Sequence, residues 1–144
     1  MSKQTFSTSF SRNISAPIED VWRAWADPTQ WSLWVLMNMT NDFVVGGEYG
    51  NGQGEGGKYL KIVPMETIQF SWNMRRYKPG SIIEVSFAKK GNTTTECKLI
   101  HSNLQSQSDK DDSGLGWNWA MDSLKSFLET GKPLSWEEWE KFNK

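Results

Sequence analysis

Hydrophobic and polar residues alternate along several segments of the chain. In the first segment, Phe6, Thr8 and Phe10 are separated by serines, which is the spacing of a strand with one face in solvent. The other segments with a strand pattern are residues 42–49, 59–63, 67–72, 81–90 and 93–102. Because mostly short turns separate these segments, neighbouring strands should pair antiparallel. The sequence therefore predicts a largely antiparallel sheet of about six to seven strands.

Two short helices are predicted directly after the first strand. Pro17 suits the first position of a helix, and the apolar residues that follow recur at helical spacing. They are Ile18, Val21, Trp22 and Trp25. Asp27 then caps a second helix that begins at Pro28. Trp31 and Trp34 should share one face of this second helix.

The clearest helical pattern comes late in the chain. From Trp117 to Gly131 an apolar stripe is followed by a glycine suited to the helix end. The stripe consists of Trp117, Ala120, Met121, Leu124, Phe127 and Leu128. The polar residues 103–116 fit either a loop or a frayed entry to this helix. An antiparallel sheet with one long apolar helix must cover its apolar face with that helix, so the fold class is α+β.

The last residues carry the signals of a separate short helix. Ser135 and Glu138 form a capping box, with Leu134 and Trp139 placed as its hydrophobic staple. So short a helix is marginal alone. We therefore expect one domain over residues 1–131 and a helical extension over 132–144 that packs on it. The extension should dock through Trp136, Trp139 and Phe142.

A glycine-rich stretch in the middle of the chain resembles a phosphate-binding loop. Residues 52–59 read GQGEGGKY, so Tyr59 stands where the P-loop requires Ser or Thr. A P-loop also needs a helix after its lysine, whereas the residues after Lys58 have a strand pattern. The stretch is therefore interpreted as the connection of an antiparallel hairpin, with glycines supplying positive φ. ATP and GTP are not expected to bind.

Composition excludes several classes of function. Sixteen basic and seventeen acidic residues give a net charge of −1, so no basic field is available for nucleic acid or an anionic membrane. The only adjacent basic pairs are Arg75-Arg76 and Lys89-Lys90. The N-terminus lacks the apolar core of a signal peptide, and no apolar run is long enough to cross a bilayer. A cytoplasmic protein without nucleic-acid or membrane partners is expected.

Residues capable of catalysis or metal binding are sparse. Cys97 is the single cysteine, which excludes an internal disulfide, and His101 is the single histidine. If both lie on one strand face, their Cα atoms are about 13 Å apart, which is too far for a hydrogen-bonded nucleophile pair. One histidine does not build the usual metal centre. The sequence therefore predicts no catalytic residue, no metal and no cofactor.

Several short motifs together resemble one known family. They are SAPIEDVWRAWADPTQW, VVGGEY, VPMETIQFSW, TTTECKLIHSNL and GWNWAMDSLKSFLETG, in this order. This chain is similar over roughly residues 5–131 to the domain of the activators of heat-shock-protein-90 ATPase and their bacterial relatives. That family belongs to the START-like, or SRPBCC, superfamily with the helix-grip fold. The resemblance implies a curved antiparallel sheet wrapped on the C-terminal helix, often with an apolar cavity between them, and no universal catalytic residue.

The candidate site follows from the apolar parity of the strands and the helix stripe. The strand residues Phe43, Val45, Ile68, Val85 and Cys97 belong to the parity expected to face the long helix. The residues expected to line a cavity there are Trp25, Trp31, Trp34, Tyr49, Phe70, Trp72, Phe87, Leu99, His101, Trp117 and Met121. Among them, His101 and Tyr49 are the candidates to orient a ligand, because each offers a polar group in apolar surroundings.

Three functions remain open from the sequence. The first is binding of a small apolar or amphipathic molecule in the cavity, with the alternative that the aromatic residues simply fill a solid core. The second is a co-chaperone or stress-related interaction module. The co-chaperones carry a further N-terminal domain for which this chain has no room, which disfavours a chaperone partner. The third is an enzyme of the cyclase or hydrolase kind found elsewhere in the superfamily.

Overall fold

The computed structural model describes residues 4–74 and 77–142. The basic pair Arg75-Arg76 and the last two residues of the predicted extension lie outside these ranges. Seven strands and four helices follow one another within them. They are β1 (Phe6–Ile14), α1 (Ile18–Ala26), α2 (Pro28–Val35), β2 (Thr40–Asn41), β3 (Glu48–Gly50), β4 (Gly56–Val63), β5 (Thr67–Ser71), β6 (Ile82–Lys89), β7 (Thr95–Leu104), α3 (Gln107–Thr130) and α4 (Trp136–Phe142).

All seven strands form one antiparallel sheet in the order β1-β7-β6-β5-β4-β3-β2. The sheet curves around α3, which packs on its concave side together with α1 and α2. This confirms the predicted α+β helix-grip fold. The two short helices are also confirmed, since Asp27 accepts a hydrogen bond from the Thr29 amide at 2.9 Å and Pro28 opens α2.

In β5, β6 and β7, the alternate residues that were predicted to form the apolar face are buried. Ile68 and Phe70 are about 1% exposed, and the inward residues of β6 and β7 are almost fully covered. These are Ile83, Val85, Phe87, Thr95, Cys97, Leu99 and His101. Burial of so many aliphatic and aromatic side chains between sheet and helices is the main stabilising contribution to the fold.

The prediction of one strand over residues 42–49 is wrong. β2 ends at Asn41, a turn follows over residues 44–46, and β3 begins at Glu48. Gly46 has a φ of 87°, and the turn is closed by a hydrogen bond from the Gly47 amide to the Val44 carbonyl. Val45 is 62% exposed instead of facing α3. The two glycines outweigh the β-branched residues before them, because they allow the chain to reverse.

The long helix begins ten residues earlier than its apolar stripe indicates. α3 starts at Gln107, and the Ser106 side chain accepts a hydrogen bond from the Asp109 amide at 3.1 Å. Residues 103–116, left open between a loop and a helical entry, thus become mostly helix. The helix ends as predicted at Gly131, which has a φ of 84°. The early turns were hard to recognise because solvent covers much of them.

The glycine-rich stretch connects two antiparallel strands, as predicted. Tyr49 pairs with Gly57 and Gly50 with Gly56, so residues 51–55 form the hairpin loop. Gly52 and Gly54 have φ values of 75° and 85°. Lys58 lies within β4 and no helix follows it. The geometry of a P-loop, which requires a helix N-terminus at this lysine, is therefore absent here.

The C-terminal segment (residues 132–142) contains the capping box that the sequence predicted. The Ser135 amide bonds the Glu138 carboxylate at 3.1 Å, and the Glu138 amide bonds the Ser135 hydroxyl at 3.2 Å. Trp139 is buried, whereas Phe142 is 81% exposed, so the expectation that Phe142 docks is wrong. The division of the chain into a domain over 1–131 and an extension over 132–144 stays a prediction.

Candidate functional site

A cleft of about 490 Å³ lies between the first half of α3 and the loop after β5. It is partly open to solvent, and the end of α2 and the glycine-rich loop complete its wall. Twelve residues line it: Val35, Met37, Glu55, Trp72, Met74, Tyr77, Asp112, Ser113, Gly116, Trp117, Trp119 and Ala120. Most of these side chains are apolar, and the volume falls within the range of small-molecule sites.

Gly116 keeps the cleft open. It occupies the middle of α3, where glycine is less favourable than alanine by about 1 kcal/mol. Apart from its chain neighbours and the backbone of its own helix, a side-chain carbon at this position would have no atom within 4 Å, so the space beside it is open. By contrast, a side-chain carbon at Gly114 would contact Thr8 and Phe10 of β1 at 3.5 and 3.7 Å. The two glycines of this helix therefore face different surroundings, and only Gly116 lines the cleft.

The tryptophans of the cleft wall are held by a buried hydrogen-bond chain. Trp117 Nε1 donates to His101 Nδ1 at 3.2 Å, which assigns the ring proton to Nε2. His101 Nε2 then donates to Ser81 Oγ at 3.0 Å, and the Ser81 hydroxyl donates to the Trp72 carbonyl at 3.1 Å. The Trp72 and Trp117 rings pack with centroids 5.1 Å apart. The chain thus connects both aromatic walls through His101.

His101 holds the residues of the cleft wall in place and does not itself face the cleft. Its side chain is fully buried, and both ring nitrogens bond protein atoms. Burial lowers the pKa of His101 to about 4, because water no longer solvates the imidazolium form. The ring is therefore neutral at physiological pH. The expectation that His101 orients a ligand does not agree with this placement, because neither nitrogen is available.

Tyr49 is also engaged within the protein. Its hydroxyl donates to the Ser71 carbonyl at 2.5 Å, and its ring packs against Trp31 and Phe70 at centroid distances of 5.4 and 5.1 Å. Burial is the main cause that raises the Tyr49 pKa, followed by the neighbouring Tyr59. The hydroxyl is therefore a neutral structural donor, and the second predicted ligand-orienting group is not available either.

The structure separates the predicted site residues into two groups. Trp72 and Trp117 line the cleft. The other nine are buried and take no part in its wall; they are Trp25, Trp31, Trp34, Tyr49, Phe70, Phe87, Leu99, His101 and Met121. Aromatic contacts such as Trp25 to Trp34 at 4.8 Å fill the space between sheet and helices. This part of the molecule corresponds to the solid core that the sequence left open as an alternative.

Several residues of the cleft were missed in the sequence. Trp119 lies off the apolar stripe of α3, yet it lines the cleft and its Nε1 donates to the Leu134 carbonyl at 2.8 Å. Tyr77 hydrogen-bonds the Asp112 carboxylate, so the loop after β5 is bonded to α3 at the mouth. The available signal was Gly116, since a glycine within a helical stripe indicates that space is needed beside it.

One polar group in the cleft wall has no acceptor among the residues that the structure describes. The indole nitrogen of Trp72 is buried and forms no hydrogen bond with any residue that the structure describes. Buried N–H groups are usually paired, because leaving one unpaired costs free energy. The wall therefore contains a donor that the described part of the protein leaves unsatisfied.

The described residues contain neither a candidate metal-binding group nor a helix that could span a membrane. Within residues 4–74 and 77–142, no group of three or more His, Cys, Asp or Glu side chains could hold a metal ion. None of the helices described there has the length and apolarity needed to span a membrane.

Burial raises the pKa of the Cys97 thiol to about 12, an effect that the neighbouring Trp25 indole only partly offsets, so the thiol is unreactive.

Comparison with known proteins agrees with the resemblance in the motifs. Residues 15–129 match the family described as Activator of Hsp90 ATPase homolog 1-like protein. The chain belongs to this family. The matched range extends from the residues just before α1 to the last turn of α3 and includes all twelve residues that line the cleft. No curated protein matches the chain.

Solved structures of other proteins share this fold. The crystal structure of CalU16 from Micromonospora echinospora is 27% identical with a TM-score of 0.79, and the match covers 93% of this chain and 80% of CalU16. The solution structure of the Aha1 dimer from Colwellia psychrerythraea is 25% identical with a TM-score of 0.77, covering 88% and 98%. PFC0360w, an HSP90 activator from Plasmodium falciparum, is 21% identical with a TM-score of 0.70, covering 77% and 86%, and shows the fold alone.

Proposed function

We propose that the protein binds a small apolar or amphipathic molecule in the cleft beside Gly116. The observation that carries this proposal is the empty space at Gly116, next to the Trp72 and Trp117 walls. A helix that only had to pack would be more stable with alanine there, because glycine in a helix interior costs free energy. The glycine instead leaves room that aromatic side chains surround.

The lining supports a ligand with a largely apolar body. Tryptophan faces contribute large contact areas, and the flexible Met37 and Met74 side chains adapt to different shapes. No step of chemistry is assigned, because His101 is engaged in the wall and the Cys97 thiol is buried in the core.

The test uses the neutral fluorescent probe 1-aminoanthracene and a pair of glycine variants. Gly116→Leu should fill the cleft and weaken probe binding at least tenfold, since its side chain enters the empty space. It should not lower the thermal midpoint, because leucine is the better helix former. Gly114→Ala is the matched control, with the same helix effect but a side chain facing β1. Equal probe affinity in wild type and Gly116→Leu would contradict binding in this cleft.

A further inference from the structure

The C-terminal segment is bonded along one face of α3. Four α3 side chains, spaced at i, i+3, i+4 and i+7 on one helix face, form hydrogen bonds with this segment. Trp119 Nε1 bonds the Leu134 carbonyl at 2.8 Å and Ser126 Oγ bonds the Lys132 carbonyl at 2.8 Å. The other two contacts are Leu134 N to Ser123 Oγ at 3.1 Å and Trp139 Nε1 to Asp122 Oδ2 at 2.9 Å.

Trp119 belongs to both the cleft and this contact. It lines the cleft, while its indole N–H is bonded to the segment and its ring packs against Trp136 with centroids 6.3 Å apart. Trp136 in turn packs against Trp139 at 5.1 Å. Without the segment, the Trp119 indole would lose its acceptor and one packing partner. The rotamer of Trp119 in the cleft wall therefore depends on the docked segment.

The opposite wall of the cleft is connected to the same segment. The fully buried Ser123 accepts from the Leu134 amide and donates to the Trp34 carbonyl at 2.7 Å, in the last turn of α2. The next residue, Val35, lines the cleft, as does Met37 after the helix end. One serine thus joins the segment to the α2 side of the cleft, while Trp119 joins it to the α3 side.

From these contacts we infer that the C-terminal segment is a positioning element that fixes the width of the cleft and is coupled to ligand binding. The inference rests on the proposed function. Docked, the segment holds Trp119 in the orientation that a ligand contacts. Because α4 is only seven residues long, its helix depends on these contacts. By linkage, a ligand that requires the docked state must also stabilise docking to the same extent.

The first test compares two substitutions on α4 with 1-aminoanthracene as the probe. Trp136→Ala removes the ring that packs on Trp119 and should weaken probe binding at least fivefold. Phe142→Ala is the control, because Phe142 is 81% exposed, and it should bind like wild type. If Gly116→Leu abolishes binding but Trp136→Ala leaves it unchanged, the coupling is wrong and the proposed function stands. If wild type does not bind the probe saturably, both fail.

The second test needs no variant. Hydrogen exchange of the α4 amides is measured on the wild-type protein with and without saturating 1-aminoanthracene. Coupling predicts that the probe slows exchange in residues 136–142 at least threefold, because it shifts the segment towards its docked state. Unchanged α4 exchange, together with slower exchange at residues 112–120 of the cleft, would overturn the coupling while leaving the proposed function intact.

Discussion

At the residue scale, burial makes the single histidine a structural residue, because both of its ring nitrogens are bonded within the protein. His101 has the chemistry of a ligand-orienting or catalytic group, yet its two nitrogens connect Trp117 to Ser81. The parity of β7 correctly indicated that its side chain faces inward. Its partners lie on α3 and directly before β6, 16 and 20 residues away in the chain, and no local pattern reveals such contacts.

His101 should make the protein less stable as the pH falls from about 6.5 to about 4. In this window the unfolded chain binds a proton on the imidazole, whereas the folded protein keeps the ring neutral. Stability therefore falls with decreasing pH, by about 3 kcal/mol over the window. Below about pH 4 the folded ring is protonated too, and this contribution no longer changes.

Urea unfolding of wild type and His101→Gln between pH 4.5 and 7.5 measures this contribution. Carboxylates such as Glu129, whose pKa is lowered chiefly by the Ser15 amide, also destabilise the protein in acid, but they do so in both proteins. The difference in unfolding free energy between wild type and variant should shrink as the pH falls. Parallel curves for the two proteins would show that His101 is not held neutral.

At the scale of elements, the glycine-rich hairpin shows which features are readable from the sequence. The change from glycines to a strand pattern after Lys58 was sufficient to predict a hairpin. In the same way, alternation predicted the β5, β6 and β7 segments. Over residues 44–46 two valines indicate a strand, whereas the two glycines after them allow a turn. The start of α3 stays open between a loop and a helical entry, because its first turns face solvent.

Gly57 and Gly52 are needed for different structural reasons, and alanine substitutions can distinguish the two. A side-chain carbon at Gly57 would lie 2.1 Å from the Ser71 carbonyl oxygen, so Gly57→Ala must push β4 away from β5. We expect it to lower the free energy of unfolding by about 2 kcal/mol or more. Gly52 lies in open space with a φ of 75°, so Gly52→Ala should cost only about 1 kcal/mol.

Urea denaturation of the two alanine variants and wild type checks this order. Equal effects of the two substitutions would mean that strand spacing does not require glycine at position 57. A loss of stability confined to Gly52→Ala would indicate that the loop conformation matters more than the close approach of β4 and β5.

At the scale of the whole molecule, the aromatic residues fall into a filled core and an open cleft. The sequence left open whether these residues line a cavity between sheet and helix or fill a solid core, because it contains no information on which aromatic side chains pack against each other. Nine of the predicted lining residues are buried away from the cleft, while Trp72 and Trp117 line it. Trp119, Met37 and Met74 complete the wall from segments whose relative positions only the folded chain defines.

The most direct measurement of ligand binding in the cleft is a titration with 1-aminoanthracene, followed through the indole N–H signals of the nine tryptophans in a ¹⁵N NMR spectrum. Tryptophan-to-phenylalanine variants assign these signals. Binding in the cleft predicts saturable shifts for Trp72, Trp117 and Trp119, which line it, and much smaller shifts for the core residues Trp25, Trp31 and Trp34. Shifts confined to other tryptophans, or no saturable shift at all, would contradict the cleft as the binding site.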